Sequence, residues 1–158
     1  VVDEASEALS VMREREGDGL VSDVARRLGA LEAHVTNIDR LRSVAPAKLR
    51  ERLFERVKLI APEVRVDEQR FAAEVAFLCD RVDVSEEVSR IGIHIGSFKD
   101  ALKGEAEGVG RKLDFLTQEI GREFNTVGSK AQDGEIQGIV VEAKAELERI
   151  REQVQNIE

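Results

Sequence analysis

The sequence predicts an all-α fold, and three features of its 158 residues indicate it. Aromatic residues make up only 4% of the chain, with no Trp or Tyr, whereas β-strands draw on aromatic and β-branched residues. Only two prolines are present, in a chain rich in residues that favour helices. Apolar residues recur every three or four positions over long stretches, as they do on one face of a helix. We therefore expect a single helical domain of about six helices.

Residues 1–62 are predicted to form a long antiparallel helical hairpin that protrudes from the rest of the domain. Apolar residues from Ala5 to Leu41 fall on one stripe, which indicates a first helix. A break is expected at Ser43–Pro46 because a proline removes a helical hydrogen bond. A second helix follows and ends at Pro62. Its narrow apolar stripe between heavily charged flanks favours a protruding element.

Residues 67–158 are predicted to form a helical bundle of four helices. The first of them is capped by Asp67 and runs to about Arg81. The next is opened by a capping box, since Asp83 and Glu86 have the D-x-x-E spacing in which the two side chains satisfy free backbone amides.

The last two helices of this bundle follow glycine-containing turns. One is expected from about Arg111 to Thr126, after a turn at Gly104–Gly110. The other carries a heptad-like apolar seam from Ile136 to Ile157, which suits a coiled-coil partner or a neighbour in the bundle.

The charge pattern argues against a uniformly basic protein that coats nucleic acid. The formal net charge is −8, from 24 basic and 32 acidic residues. Residues 1–58 balance 11 basic against 11 acidic side chains, so the deficit lies in residues 59–158. Residues 38–58 hold seven basic and three acidic side chains. A local basic segment therefore lies inside an acidic chain.

Several classes of protein and site are disfavoured by the sequence. Cys79 is the only cysteine, which excludes an intramolecular disulfide, and with two histidines it cannot build a zinc finger. The glycines of 104–110 lack the phosphate-loop pattern, and no nucleophile elbow is present. No apolar run approaches the roughly 20 residues of a membrane span. We expect a cytoplasmic protein and, because a helical pattern is already running at Val1, a piece of a longer one.

Two helices carry polar stripes that are candidates for a functional site. In the first, an acid, a guanidinium, an imidazole and a hydroxyl line up beside the apolar seam, where partial burial tunes pKa values; the residues are Asp83, Glu87, Arg90, His94 and Ser97. In the second, five polar residues share one arc opposite the apolar arc: Arg111, Asp114, Gln118, Arg122 and Asn125. The alternative for the first stripe is structural, with capping acids, a Glu–Arg pair and a boundary histidine.

Glu119 and Glu123 lie four residues apart between the polar and apolar arcs of the second helix. Like charges at this spacing repel in an isolated helix, so they require either an Arg or a metal ion nearby. Paired carboxylates hold Mg²⁺ or Mn²⁺ against phosphate oxygens, and Arg binds phosphate bidentately. The alternative is an Arg–Glu network between helices. Ser129 and Lys130 are predicted just past the helix end, as a contact to an anion or an ordinary turn.

The same stretch carries a resemblance to a known family. Residues 110–130, GRKLDFLTQEIGREFNTVGSK, resemble the signature of the YicC/YloC-like bacterial endoribonucleases, and residues 151–158, REQVQNIE, resemble the C-terminus of that family. Shorter matches are MREREG, EVAFL and DVSEEVSR, in the expected order. The chain departs from the family at Gly121, commonly Asn there, and in the glycine-rich spacing of Gly92 and Gly96.

The resemblance implies a metal-dependent endoribonuclease that cleaves single-stranded RNA with Mn²⁺ or Mg²⁺. It also implies a homo-oligomer, a hexamer in the intact protein, whose long helices clamp RNA, with RNA-decay proteins as further partners. The resemblance further implies an N-terminal domain in family members, so we expect this chain to correspond to the C-terminal half of such a protein.

Matched position by position, the resemblance suggests roles for the two polar stripes. His94, Glu119 and Glu123 are predicted to be catalytic. The predicted metal ligands are Glu87, Asp114, Glu119 and Glu123. The predicted RNA contacts are Arg90, Arg111, Gln118, Arg122, Asn125, Ser129 and Lys130.

Two other interpretations stay open. In one, this half is a non-catalytic scaffold that oligomerises and clamps RNA, while the catalytic groups lie on the missing N-terminal domain. Such a scaffold would use the apolar seam of residues 136–157 to oligomerise and the basic segment of residues 40–58 to clamp RNA. In the other, the chain is a structural bundle that makes no contact with RNA.

Overall fold

The structure, a computed structural model, describes residues 2–63, 65–104 and 108–155, with side chains from residue 17 onward except residue 18. These residues form five α-helices and no strand. The helices are α1 (Val2–Ile60), α2 (Glu68–Val82), α3 (Ser85–Leu102), α4 (Val109–Lys130) and α5 (Gly134–Val154). The predicted all-α class is confirmed, with five helices in the described part of the chain instead of about six.

Four of the helices, α1, α3, α4 and α5, form an antiparallel bundle in which each packs against two neighbours. Contacts between α4 and α5 show the opposite directions, since Gly121 faces Leu147 and Gly128 faces Val140. The packing is tight at Gly128, where a Cβ atom would lie 3.3 Å from the Val140 side chain. The fully buried large side chains in this core include Leu28, Leu31, Ile38, Ile91, Ile95, Phe98, Leu113, Ile120, Phe124 and Ile150.

The break predicted at Ser43–Pro46 is wrong, because α1 continues through Pro46 as one helix of 59 residues. Proline costs a helix interior about 3 kcal/mol, but a helix with long stretches on both sides can retain the other hydrogen bonds. The Ser43 hydroxyl donates to the Arg40 carbonyl at 2.7 Å, within the same segment.

A helical hairpin is nevertheless present, although its two arms differ from those predicted. The C-terminal part of α1 packs against α2 rather than against its own N-terminal part. Phe54 of α1 and Phe71 of α2 meet edge to face, with ring centroids 5.6 Å apart, and the Lys58 ammonium lies 4.4 Å from the Phe54 ring. Within the described residues, α2 forms its main contacts with α1 alone, so this hairpin projects from the four-helix bundle.

Helix ends confirm one predicted cap and correct another. The Asp67 carboxylate accepts from the backbone amides of Gln69 and Arg70, as the cap of α2. The capping box at Asp83 is not formed, since its carboxylate accepts from the amide and the hydroxyl of Ser85 instead of the amide of Glu86. Because these contacts favour the ionised form, they hold the pKa of Asp83 below its usual range.

The bundle extends further along α4 than predicted. The helix was expected to end at about Thr126, but it continues to Lys130, so Ser129 and Lys130 lie in its last turn. Val127 is fully buried in this turn. The apolar seam of α5 is confirmed as a bundle interface as far as Val154, while Ile157 lies outside the described residues. None of the described helices combines the length and apolar character needed to cross a membrane.

The continuity of α1 predicts the effect of replacing its internal proline. Pro46→Ala restores an amide donor to the Arg42 carbonyl, and we expect it to stabilise the part of α1 beyond residue 46 by about 1–2 kcal/mol. Hydrogen exchange of the amides between residues 47 and 60 measures this change.

Pro62→Ala is the matched control, because Pro62 follows the end of α1 and its replacement alters mainly the entropy of the unfolded chain. Equal exchange rates in the two variants would contradict the prediction.

Candidate functional site

A cluster of charged side chains joins α3 to α4 near the C-terminal end of α4; we call it the α3–α4 ion cluster, formed by Glu86, Glu87, Arg90, Glu123 and Lys130. Lys130 Nζ donates to Glu87 Oε1 at 2.8 Å, and Arg90 Nε donates to Glu123 Oε1 at 2.8 Å. Arg90 also lies 3.4 Å from both Glu86 and Glu87. The two helices are therefore linked by two short charge-assisted hydrogen bonds.

Glu87 is the buried centre of this cluster, with 2% of its surface exposed. Burial acts to raise the pKa of its carboxyl, but the hydrogen bond from Lys130 and the nearby Arg90 outweigh it and leave the pKa below its ordinary value of 4.5. The same bond raises the pKa of Lys130. Glu87 Oε2 has no hydrogen-bond partner among the described residues. The free energy of a buried carboxylate with one unsatisfied oxygen depends strongly on the basic partners of its other oxygen.

Arg90 connects the buried and exposed parts of the cluster. Its side chain is 42% exposed, while that of Glu123 is only 15% exposed. The hydrogen bond to Glu123 raises the pKa of Arg90, with smaller contributions from Glu86 and Glu87. Three carboxylates therefore share one guanidinium, whose planar fork of donors suits several acceptors.

The carboxylates predicted to bind a metal do not come together. Glu119 accepts from Arg122 at 2.6 Å, Glu123 from Arg90, and Asp114 from Gln118 at 2.7 Å. No group of three His, Cys, Asp or Glu side chains in the described residues is arranged to hold a metal ion. Glu87 is too enclosed for a divalent ion that keeps several waters. Among the described residues, the carboxylates predicted to bind Mn²⁺ or Mg²⁺ are therefore not gathered into a metal site.

His94 lies on α3, half-buried, outside the α3–α4 ion cluster. In the part of the chain that the structure describes, its ring takes part in no hydrogen bond or ion pair. Of the predicted RNA contacts, Arg90, Arg122 and Lys130 are engaged by carboxylates, and the Ser129 hydroxyl donates to the Thr126 carbonyl.

Four of the predicted RNA contacts, together with Phe115, form an exposed row along α4, which we call the α4 surface row: Arg111, Phe115, Gln118, Arg122 and Asn125. These positions follow one another at spacings of three and four residues, so they share one face over about 21 Å of helix. Sequence reasoning missed Phe115, which is 58% exposed. Its i+4 spacing from Arg111 was the available signal, since it places an aromatic ring within a polar arc.

Comparison with known proteins places these features in a family. The family model described as "Endoribonuclease YicC-like, C-terminal" matches residues 38–158, which include all of α2 to α5. The chain belongs to this family. It is 42% identical over 158 residues to a "Probable endoribonuclease YicC" of Clostridioides difficile, covering 99% of this chain and 54% of that protein.

A second relative, of Haemophilus influenzae and also named "Probable endoribonuclease YicC", is 39% identical over 150 residues, which cover 93% of this chain and 50% of that protein. The chain therefore spans about half the length of the curated relatives it matches. The predicted family is confirmed, and both the α3–α4 ion cluster and the α4 surface row lie within the segment matched by the YicC-like C-terminal model.

The buried Glu87–Lys130 pair predicts a stability change. Lys130→Met leaves the Glu87 carboxylate buried without its main partner, so we expect the free energy of unfolding at pH 7 to fall by about 2 kcal/mol or more. Urea denaturation followed by circular dichroism measures it. Lys112→Met, at an exposed position on the same helix, is the control and should change stability by less than about 0.5 kcal/mol.

The pH dependence gives a second check on this pair. Because the pKa of Glu87 is lowered in the folded protein, its stabilising contribution is complete above its ordinary value of 4.5 and is lost as the pH falls through the lowered pKa. In Lys130→Met burial raises that pKa, so the deficit relative to the wild type should shrink at pH 4. A deficit equal at both pH values would contradict the role of this ion pair.

Proposed function

We propose that this chain is the C-terminal part of an endoribonuclease that acts on single-stranded RNA, and that the exposed face of α4 holds the RNA. Membership of the YicC-like family and the names of the two relatives support the reaction class. The α4 surface row supports the binding role, because it combines guanidinium groups for phosphate with an aromatic ring for a base.

The single observation that carries the binding role is the exposure of Phe115 within a row of Arg, Gln and Asn side chains. An exposed phenyl ring presents a face on which any base can stack, and such stacking contributes about 1–3 kcal/mol per base. Along the same face, Arg111 lies about one turn before Phe115 and Arg122 about two turns after it, where each guanidinium can meet a phosphate of a strand stacked on the ring.

A second candidate role, an RNA-clamping scaffold whose catalytic groups lie elsewhere in the protein, is favoured by the ion pairs of α3 and α4. Glu87, Glu119 and Glu123 are each bound to a basic side chain of this chain, which leaves them poorly placed to bind a metal ion. The Mn²⁺ or Mg²⁺ requirement, the hexamer and the RNA-decay partners stay predictions for the whole protein.

Replacement of Phe115 tests the binding role. We expect Phe115→Ala to weaken binding of a fluorescein-labelled single-stranded RNA by about 5- to 100-fold, since one stacked base is lost. Fluorescence anisotropy measures the dissociation constant. Phe77→Ala is the matched control, because Phe77 is also exposed, to 61%, but lies on α2 away from the row. Equal affinities for the two variants would contradict the assignment of RNA to α4.

Incubation of this chain with end-labelled single-stranded RNA and Mn²⁺, with and without a chelator, separates the two roles. Because Glu87, Glu119 and Glu123 are paired with basic side chains, we expect salt-dependent binding without cleavage. Chelator-sensitive cleavage that Glu119→Gln or Glu123→Gln abolishes would contradict the scaffold role and assign the chemistry to α4.

A further inference from the structure

A groove of about 890 Å³ opens at the end of the four-helix bundle, outside the sites described so far. One wall is α1 from Arg42 to Arg52. The other wall consists of the end of α2, its connection to α3, and the connection between α4 and α5. Its volume lies in the range of ligand-binding clefts, about 300–1,000 Å³.

The α1 wall carries a row of basic side chains, Lys48, Arg52 and Arg56, spaced four residues apart. Lys48 and Arg52 line the groove, and Arg56 continues the row by one more turn. Successive residues of a helix are rotated by about 100° around its axis. Arg56 therefore projects in the same direction as the buried Ile38, and Lys48 projects within about 20° of the direction of the buried Leu41. The side of α1 that faces the core thus continues beyond the bundle as a basic stripe.

These three side chains have no acidic partner in the part of the chain that the structure describes. Other basic groups of α1 do form ion pairs, for example Arg42 with Asp39 and Lys58 with Glu55. Like charges spaced four residues apart destabilise a helix. A row of unpaired cations beside a groove is therefore suited to an anion with regularly spaced charges.

The opposite wall is acidic, but two of its carboxylates are occupied by the chain itself. Asp83 accepts from Ser85, and Asp133 caps α5 by accepting from the amides of Glu135 and Ile136. Asp80 and Glu135 also line this wall. Negative charge on this side repels phosphate, so an anionic strand in the groove is directed towards α1.

Between the two walls the groove is lined by aliphatic side chains, among them Leu49, Val84 and Ile136, and by no aromatic side chain of the described residues. Aliphatic side chains provide apolar contact for bases without stacking or base-specific hydrogen bonds. Residues four apart on a helix are separated by about 6 Å, which is comparable to the spacing of successive phosphates along an extended single strand.

We propose that this groove is a second binding site for single-stranded RNA, in which Lys48, Arg52 and Arg56 contact successive phosphates along α1. The proposal rests on the proposed function, in that it takes RNA to be the substrate, but it uses no residue of the α4 surface row. In this site the basic side chains of α1 contact the sugar-phosphate backbone of the RNA.

Cys79 provides a direct reporter, because it is the only cysteine of the sequence, is half-buried and lines the groove. We expect a single-stranded oligonucleotide RNA to slow the alkylation of Cys79 by iodoacetamide, measured by mass spectrometry. The same RNA annealed to its complement should protect less, since a double helix is too wide to enter the groove.

Lys48→Gln with Arg52→Gln should weaken RNA binding about tenfold and abolish the protection of Cys79, because two phosphate contacts are lost. The slope of log affinity against log salt should fall by about 1.4, at roughly 0.7 per contact for single strands. The control is Lys112→Gln with Lys144→Gln, which removes two exposed, unpaired cations from α4 and α5 and the same net charge.

The outcomes separate this proposal from the proposed function. If the wild-type chain binds RNA but the Lys48/Arg52 variant binds equally well, or Cys79 stays unprotected, the groove site is wrong while the RNA-binding role of α4 stands. If the control variant loses as much affinity and salt dependence as the groove variant, net charge explains the binding and the site is wrong. If the wild-type chain binds no single-stranded RNA, both proposals fail.

Discussion

The burial of the Glu87 carboxylate constrains how α3 and α4 pack. A carboxylate with 2% exposure is tolerated only where a basic group reaches it, and that group is Lys130 at the last position of α4. The requirement fixes the register of the two antiparallel helices, because Glu87 lies in the first turn of α3 and Lys130 in the last turn of α4. In the same register Arg90, about one turn further along α3, reaches Glu123. It also explains why α4 continues beyond Thr126, since a shorter helix would leave Lys130 in a loop and Val127 without its place in the core.

Apolar periodicity predicted the helices well because it is a local property. The stripe of α3 and the seam of α5 are both buried as expected, apart from the undescribed end of the seam. Pro46 shows where local reasoning fails. A proline lowers the stability of a helix at one point, but its cost does not tell whether the flanking turns have enough contacts to hold the helix together. That depends on α3, α5 and α2, which pack on either side of it along α1.

The candidate site also shows that local sequence patterns do not determine the contacts between helices. The i, i+4 spacing of Glu119 and Glu123 correctly indicated that both need a cation, and it left open whether that cation is Arg or a metal ion. The structure supplies Arg122 from the same helix and Arg90 from the neighbouring one. The first partner lies within one turn and was predictable from spacing. The second depends on the register of two helices separated by 33 residues in sequence, which no local pattern contains. The exposure of Phe115 is likewise a property of the assembled bundle.

An acidic chain with a net charge of −8 is compatible with RNA binding because electrostatic attraction acts locally. At physiological ionic strength charges separated by more than about 8 Å are largely screened, so an approaching phosphate responds to the groups beside it and not to the total. Several acids of the chain are held within the protein: Glu87 and Glu123 pair with basic residues across the α3–α4 interface, and Asp83 and Asp133 accept hydrogen bonds from backbone amides at helix starts. Lys48, Arg52 and Arg56 of α1 have no acidic partner among the described residues, because they lie beyond the end of the bundle. The composition therefore describes the folded charge poorly, since folding pairs the acids of the bundle and leaves Lys48, Arg52 and Arg56 available to an outside anion.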